Sequence, residues 1–227
     1  MELTAEKSFD GVWGARFSYL WSDSEGNYEG ALKSDNGQVD PGLSQDFDQP
    51  GLTDGAHGKL PGHREHTFKM FGSWQATEQL LIGANLVIQS PRQFGCQGEH
   101  ATDDFAYQYA NSSWFCDVDG NGTLEPTPRG SQFESDWLKN VDLTFSYDLG
   151  DLLNVPGDSL VLRADVFNVF NFQSELDFNE FGTLGDITGG GFIGVDPNLP
   201  SSLNPYYRKV TGFQSPRSVR LSVAYRF

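Results

Sequence analysis

The chain has 227 residues and a formal net charge of −16, from 31 acidic and 15 basic side chains. That length fits one domain or a piece of a larger one, and that charge excludes both the basic patch a nucleic-acid binder presents to phosphate and the polybasic segment of a membrane-surface protein. Eighteen Phe, eight Tyr and five Trp exclude a disordered chain, and 26 Gly with 11 Pro point to many turns.

In chain order, Met1–Ser8 shows neither a basic n-region nor an apolar h-region, so no signal peptide is expected. Six segments then alternate between apolar and polar residues with a period of two. In 11–22, Trp13, Ala15, Phe17, Tyr19 and Trp21 alternate with Gly14, Arg16 and Ser18. In 64–76, Phe68, Met70, Gly72 and Trp74 share one face, and Phe71 breaks the polar one. The same pattern recurs in 80–90, 137–149, 160–170 and 218–227.

Such alternation predicts strands with one apolar and one polar face. At about 10 to 13 residues they exceed ordinary globular strands, whose typical length is about 5–6. They suit tilted strands crossing a bilayer, which need about 9–11 residues. Aromatic residues near the segment ends (Trp13, Trp21, Trp74, Trp137, Tyr147, Tyr225) resemble interfacial girdles. A soluble antiparallel sandwich also alternates, so the pattern alone leaves that alternative open.

The connections favour the membrane. Thr77-Glu78-Gln79 and 150–159, with Pro156 and Gly157, are short; 23–63, 91–136 and 171–217 are long. Short and long alternate strictly, as periplasmic turns and external loops do in outer-membrane barrels. The three long loops hold 21 of the 31 acids and seven of the 15 bases. An acidic exterior of that kind gathers cations, or is simply solvated. The expected fold class is all-β: an antiparallel transmembrane β-barrel segment of about six long strands in an outer membrane.

Particular residues then resemble a known family. Leu162-Arg-Ala-Asp-Val-Phe-Asn-Val-Phe-Asn171 is similar to a late-strand segment of TonB-dependent outer-membrane receptors, and Ser215–Phe227 resembles their last strand. Lys33-Ser-Asp-Asn-Gly-Gln38, Asp54-Gly-Ala-His-Gly-Lys-Leu-Pro61, Gln89-Ser-Pro-Arg92 and Thr127-Pro-Arg-Gly130 are similar to the Oar-like subgroup. The resemblance implies a 22-stranded barrel with an internal plug, coupling to TonB, energised uptake of a ligand, and contact with outer-membrane lipid. It also implies that the terminal aromatic, Phe227 with Tyr225, is read by the outer-membrane assembly machinery. Residues 1–227 then correspond to the C-terminal part of such a barrel, without plug or signal peptide, because six strands cannot close. The competing expectation is a secreted or surface-exposed β-domain that binds a ligand or partner, with calcium as a stabiliser.

Candidate chemistry is sparse. Asp117, Asp119, Asn121 and Thr123 take alternate positions of a calcium-like loop, with Gly122 between. Pro128 stands where a bidentate Glu belongs, so a tight Asp/Gly turn is the competing reading. Cys96 and Cys116 share one external loop, where a disulfide is expected. His57, His63 and His66 lack the His-Glu-x-x-His order of a zinc enzyme, and Gly189–Gly194 lacks the helix of a nucleotide fingerprint. The sequons at Asn111 and Asn121 are chance matches in a bacterial protein. No nucleophile–base pair stands out, so the expectation is a protein that is not an enzyme and has no cofactor beyond that calcium turn.

Overall fold

The computed structural model describes residues 1–38, 40–42, 44–109, 111–150, 159–182 and 204–226. Seven long strands make one antiparallel sheet: β1 Glu2–Lys7, β2 Trp13–Trp21, β3 His66–Gln75, β4 Leu80–Gln89, β5 Leu138–Asp148, β6 Ser159–Phe167 and β7 Ser218–Arg226. Their order across the sheet is their order in the chain, β1 to β7. Every connection is therefore a neighbour-to-neighbour return, and the three long loops all leave from one end.

Six of these strands follow from the alternation. The seventh, β1, was not expected, and it pairs with β2 from Glu2↔Leu20 to Lys7↔Ala15. Only Leu3 and Ala5 face outward there before the cation Lys7, too few to announce a strand by pattern. The expected strand 160–170 ends three residues early. Asn168 takes a left-handed backbone (φ 48°), and its side chain donates to the carbonyls of Phe172 and Ser215 and accepts from the Phe172 amide. Asn tolerates that conformation where a β-branched residue would not.

Register aligns the apolar faces of all seven strands. One row runs Ala5, Phe17, Met70, Leu86, Val141; another runs Trp74, Ile82, Phe145, Ala164, Leu221. The opposite face carries Arg16, Asn85, Asp142, Arg163, Asp165 and Arg220. Asp165 is buried there, accepting from Thr144 Oγ1 at 2.8 Å, Arg163 Nε at 2.9 Å and Arg220 Nη2 at 2.9 Å.

The buried apolar core lies elsewhere. Leu52, Ala56, Phe94, Cys96, Ala106, Trp114, Cys116 and Tyr207 are buried, and each sits in a long loop. Short strand pairs brace these loops: Glu25–Gly26 with Gly58–Lys59, Gln93–Phe94 with Phe133–Glu134, Phe115–Cys116 with Glu125–Pro126, and Glu175–Phe178 with Val210–Phe213. The molecule is thus an open sheet with a packed loop cap at one end.

Candidate functional site

The outward face of the sheet is its first unusual surface. Val219, Leu221 and Val223 are 61%, 77% and 67% exposed, and Trp74 is 53% exposed. Among the described residues no second sheet or helix covers this face, so the packing partner that a soluble sandwich requires is missing. The aromatics fall in two bands. Trp13, Trp74, Tyr147 and Tyr225 stand at the short-turn end. Tyr19, Trp21, Phe68 and Trp137 stand at the loop end, where Tyr19 stacks on Phe68 at 4.6 Å. Trp13 and Trp21 close β2 at opposite ends, about 26 Å apart along a strand rising roughly 3.3 Å per residue. At the tilt of about 35–45° found in outer-membrane barrels, that length projects to roughly 20 Å, close to but under their apolar band of about 25 Å.

The opposite face is polar and open. A cavity of ≈ 470 Å³ lies on it, floored by the small residues Gly14, Ser73, Gly83 and Thr144 and edged by Glu6, Arg16 and Asp142. Asp142 accepts from Asn85 Nδ2 at 3.0 Å, Asn140 Nδ2 at 2.8 Å and the Asn168 amide at 2.9 Å. Asp142 is half-buried, and these three bonds offset the cost of its desolvation.

The loop cap is held by buried ions. From the loop 90–137, Arg92 donates to Asp177 Oδ1 and Glu180 Oε1, each at 2.7 Å, in the loop 168–217. Asp35, in the loop 22–65, accepts from Arg129 Nη1 and lies 3.9 Å from Arg92. Arg129 Nε also donates to the Ala56 carbonyl at 2.8 Å. Each guanidinium covers a ring: Arg92 on Phe94 at 4.3 Å, Arg129 on Trp114 at 4.9 Å. Five side chains thus join all three loops. Burial raises the Glu180 carboxyl to about 8 against the pull of Arg92, and burial raises Asp35 against Arg129 and Arg92. A second buried pair, Lys33 with Asp46 at 2.7 Å, braces the first loop.

The acids of the cap are therefore not merely solvated. Asp35, Asp46, Glu99, Asp117 and Glu180 are all buried. Sequence patterning missed Arg92 and Arg129 as organisers. The available signal was their rarity: they are the two cations of an acid-rich loop, each following a proline.

Cys96 and Cys116 are bonded to each other and fully buried. The Gly182 backbone lies directly against both sulfurs, leaving no room for a Cβ, while Gly182 donates its amide to the Gln97 carbonyl at 2.7 Å. The chain at Gly182 is thereby laid across the disulfide.

Asp117, Asp119, Asn121 and Thr123 form a self-closed turn. Asp117 accepts from the amides of Asn121 (2.9 Å) and Gly122 (2.8 Å), Asp119 from that of Asn121 (3.1 Å), and Asn121 Oδ1 from that of Thr123 (2.8 Å). These oxygens serve backbone donors, as in an Asx turn. Among the described residues no group of three His, Cys, Asp or Glu side chains could hold a metal ion. His63 Nδ1 accepts the Ser24 amide at 3.1 Å, and burial lowers its pKa. His66 Nδ1 meets Tyr19 Oη at 2.9 Å; the two histidines thus have separate partners. Tyr225 pairs with Leu160 on the outward face. Phe227, the Pro156–Gly157 turn and Gly189–Gly194 lie outside the described residues.

The chain is similar to the TonB-dependent transporter Oar of Myxococcus xanthus. Identity is 28% over 243 aligned positions, which cover 97% of this chain. They cover 21% of the transporter, so the chain spans about a fifth of the relative's length. No family model matches, and no solved structure matches.

Proposed function

We propose that this chain forms part of the β-barrel wall of a TonB-dependent outer-membrane transporter of the Oar type, with its loop cap outside the cell facing the ligand. The observation that carries the reading is the register-aligned apolar face, bare across seven strands and banded by aromatics at both ends. Likeness to the Oar transporter supports it. Among the described residues the sheet's two edge strands, β1 and β7, each pair on one side only. Lipid cannot satisfy a free backbone edge, so the wall continues through further strands. The polar face then lines the interior, and energised uptake with TonB is work of the whole protein. Within it, Tyr225 and Phe227 serve recognition by the assembly machinery.

Membrane fractionation tests this. The natural protein is expected to stay with outer membranes through alkaline carbonate washing and to migrate faster unheated than heated on a gel. A monodisperse monomer in detergent-free buffer would overturn the reading. It would favour a secreted or surface β-domain, stabilised by the cap's own core and disulfide.

A further inference from the structure

We propose that the exposed aromatic patch of the loop cap, centred on Phe47 and Phe105, binds a basic polypeptide segment that also carries apolar side chains. This deepens the reading above by giving the cap a ligand chemistry, and rests on that reading for the ligand's arrival from outside the cell.

The first observation is apolar surface left outside a cap whose own core is small. Phe47 is 62% and Phe105 68% exposed, and Tyr28 and Leu32 are exposed as well. Local contacts gather these residues. The rings of Tyr28 and Phe47 lie 5.4 Å apart. Leu32 and Phe47 each adjoin one member of the buried Lys33–Asp46 pair. Asp103 and Ala106 close over Gly51, where a Cβ would have no room, and Phe105 stands between those two contacts in the chain. Gly51 follows Phe47 by four residues, which reach about 14 Å when fully extended. One short extended peptide therefore covers both ends of the patch. Single apolar residues are ordinary on a surface, but gathered rings mark a place of contact.

The second observation is charge. The loops 22–65 and 90–137 hold 17 acids and five bases. Burial removes three of those bases, Lys33, Arg92 and Arg129, but only four of the acids, Asp35, Asp46, Glu99 and Asp117. Of the other two bases, Lys59 is held by Asp23 and Glu25, and the half-buried Arg64 donates to the carbonyls of Pro61 and His63. The exposed cations Arg208, Lys209 and Arg217 belong to the loop 168–217. The solvent face of the first two loops is thus more acidic than their composition. Asp48 and Asp104, both exposed, adjoin Phe47 and Phe105 in the chain. Such a surface repels an anionic lipid and draws a cationic partner. Rings beside carboxylates suit Lys and Arg, whose stems lie on apolar surface while their charges meet ring faces and acids.

The third is rigidity. The Lys33–Asp46 pair ties the two limbs of loop 22–65 that carry Leu32 and Phe47. Glu29, next to Tyr28, accepts from the amide and the hydroxyl of Ser34. Anchors fixed in place before a partner arrives lose little freedom on binding.

The test uses the natural protein in neutral detergent, with empty micelles as the blank, and three fluorescein-labelled synthetic peptides of equal length: alternating Lys/Phe, Lys/Ser and Glu/Phe. Binding is read by fluorescence anisotropy at physiological ionic strength. Wild type should bind the Lys/Phe peptide roughly tenfold more tightly than either of the others. F47S/F105S, whose lost rings lie outside the core, should lose roughly tenfold in affinity for it. D48N/D104N should lose roughly threefold and respond less to added salt. Y206S, which removes an exposed ring of the third loop, should bind as wild type does. Equal binding of the Lys/Phe and Glu/Phe peptides, or an unchanged affinity in F47S/F105S, overturns the proposal. Membrane fractionation is a separate readout. A protein held in outer membranes that binds none of the peptides keeps the membrane reading and overturns this proposal. A soluble monomer whose peptide binding needs Phe47 and Phe105 does the reverse.

Discussion

Glu180 shows how one side chain sets the chemistry of the cap. Its Oε1 accepts from Arg92 and its Oε2 accepts the Gly95 amide at 2.9 Å. Burial is the largest influence on its carboxyl and raises it to about 8, with Asp35 and Asp177 adding to the rise. An acid whose folded pKa is raised binds its proton more tightly in the folded state. Its contribution is therefore greatest below the unfolded value of 4.5 and is lost as pH rises through the window up to about 8. His63 acts in the opposite sense, since burial lowers its pKa below the ordinary 6.5 and the contribution is lost as pH falls. The measurement is amide hydrogen exchange at Gly95, corrected for intrinsic rate, between pH 5 and 9. Protection should decline with rising pH in wild type and be flat in E180Q. A flat wild-type profile would show that the carboxylate is already ionised beside Arg92 throughout. Gly182 makes a second residue-scale case. Any Cβ there would collide with both sulfurs of the disulfide, and overpacking of this kind costs about 1–3 kcal/mol. G182A should therefore loosen residues 168–182, read as faster proteolysis within that segment.

At the scale of a strand, the decisive property is which way a residue faces. Leu81 and Leu86 both lie in β4, and the period of two sends them to opposite faces. Leu86 stands between Met70 and Val141 on the outward face; Leu81 stands between Gln75 and Ser146 on the polar one. An arginine facing lipid near the bilayer midplane costs about 2–4 kcal/mol. L86R should therefore sharply lower the amount of protein recovered in outer membranes, and L81R should leave it near wild type. Equal recovery of the two variants would mean that the outward face does not meet lipid. This is also where sequence reading succeeds and fails. Strands β2 to β7 were legible because alternation is a local property, carried by neighbours such as Val141, Leu143, Phe145 and Tyr147. β1 was not, because Leu3 and Ala5 provide too little pattern and its status depends on pairing with β2. The end of β6 was hidden in the side-chain bonds of Asn168. The ion cluster was the least legible: Asp35 and Arg129 are 94 residues apart, and Arg92 and Glu180 are 88 apart. Only the folded chain brings them together, and a sequence reading sees their acids as ordinary loop charge.

On the scale of the whole molecule, stabilisation is divided between two environments. The sheet leaves its apolar face exposed, free for lipid under the membrane proposal, while the buried apolar side chains lie in the cap. The cap must therefore be held by what its loops offer each other. Its aromatic core is small: Phe94 stacks on Phe133 at 5.1 Å, and Phe133 meets Tyr207 edge-on at 5.8 Å. The ion cluster completes it and fixes which loop lies against which. Arg129 and Asp35 are the most enclosed pair, with side chains 1% and 3% exposed. Removing one partner of such a pair strands a buried charge and costs about 3–5 kcal/mol, whereas removing both restores much of the loss. R129M and D35N alone should each open the cap, seen as rapid protease cleavage in the loops 22–65 and 90–137. The double variant D35N/R129M should be cleaved more slowly than the sum of the two single effects requires. Under the membrane proposal the same variants should be recovered in outer membranes like wild type, because no residue of the cluster lies on the outward face of the sheet. Strand amides in β3 to β5 should stay protected from exchange while the loop amides open. Loss of strand protection in R129M would instead make cap and sheet one cooperative unit, so that the long loops could not rearrange without disturbing the sheet.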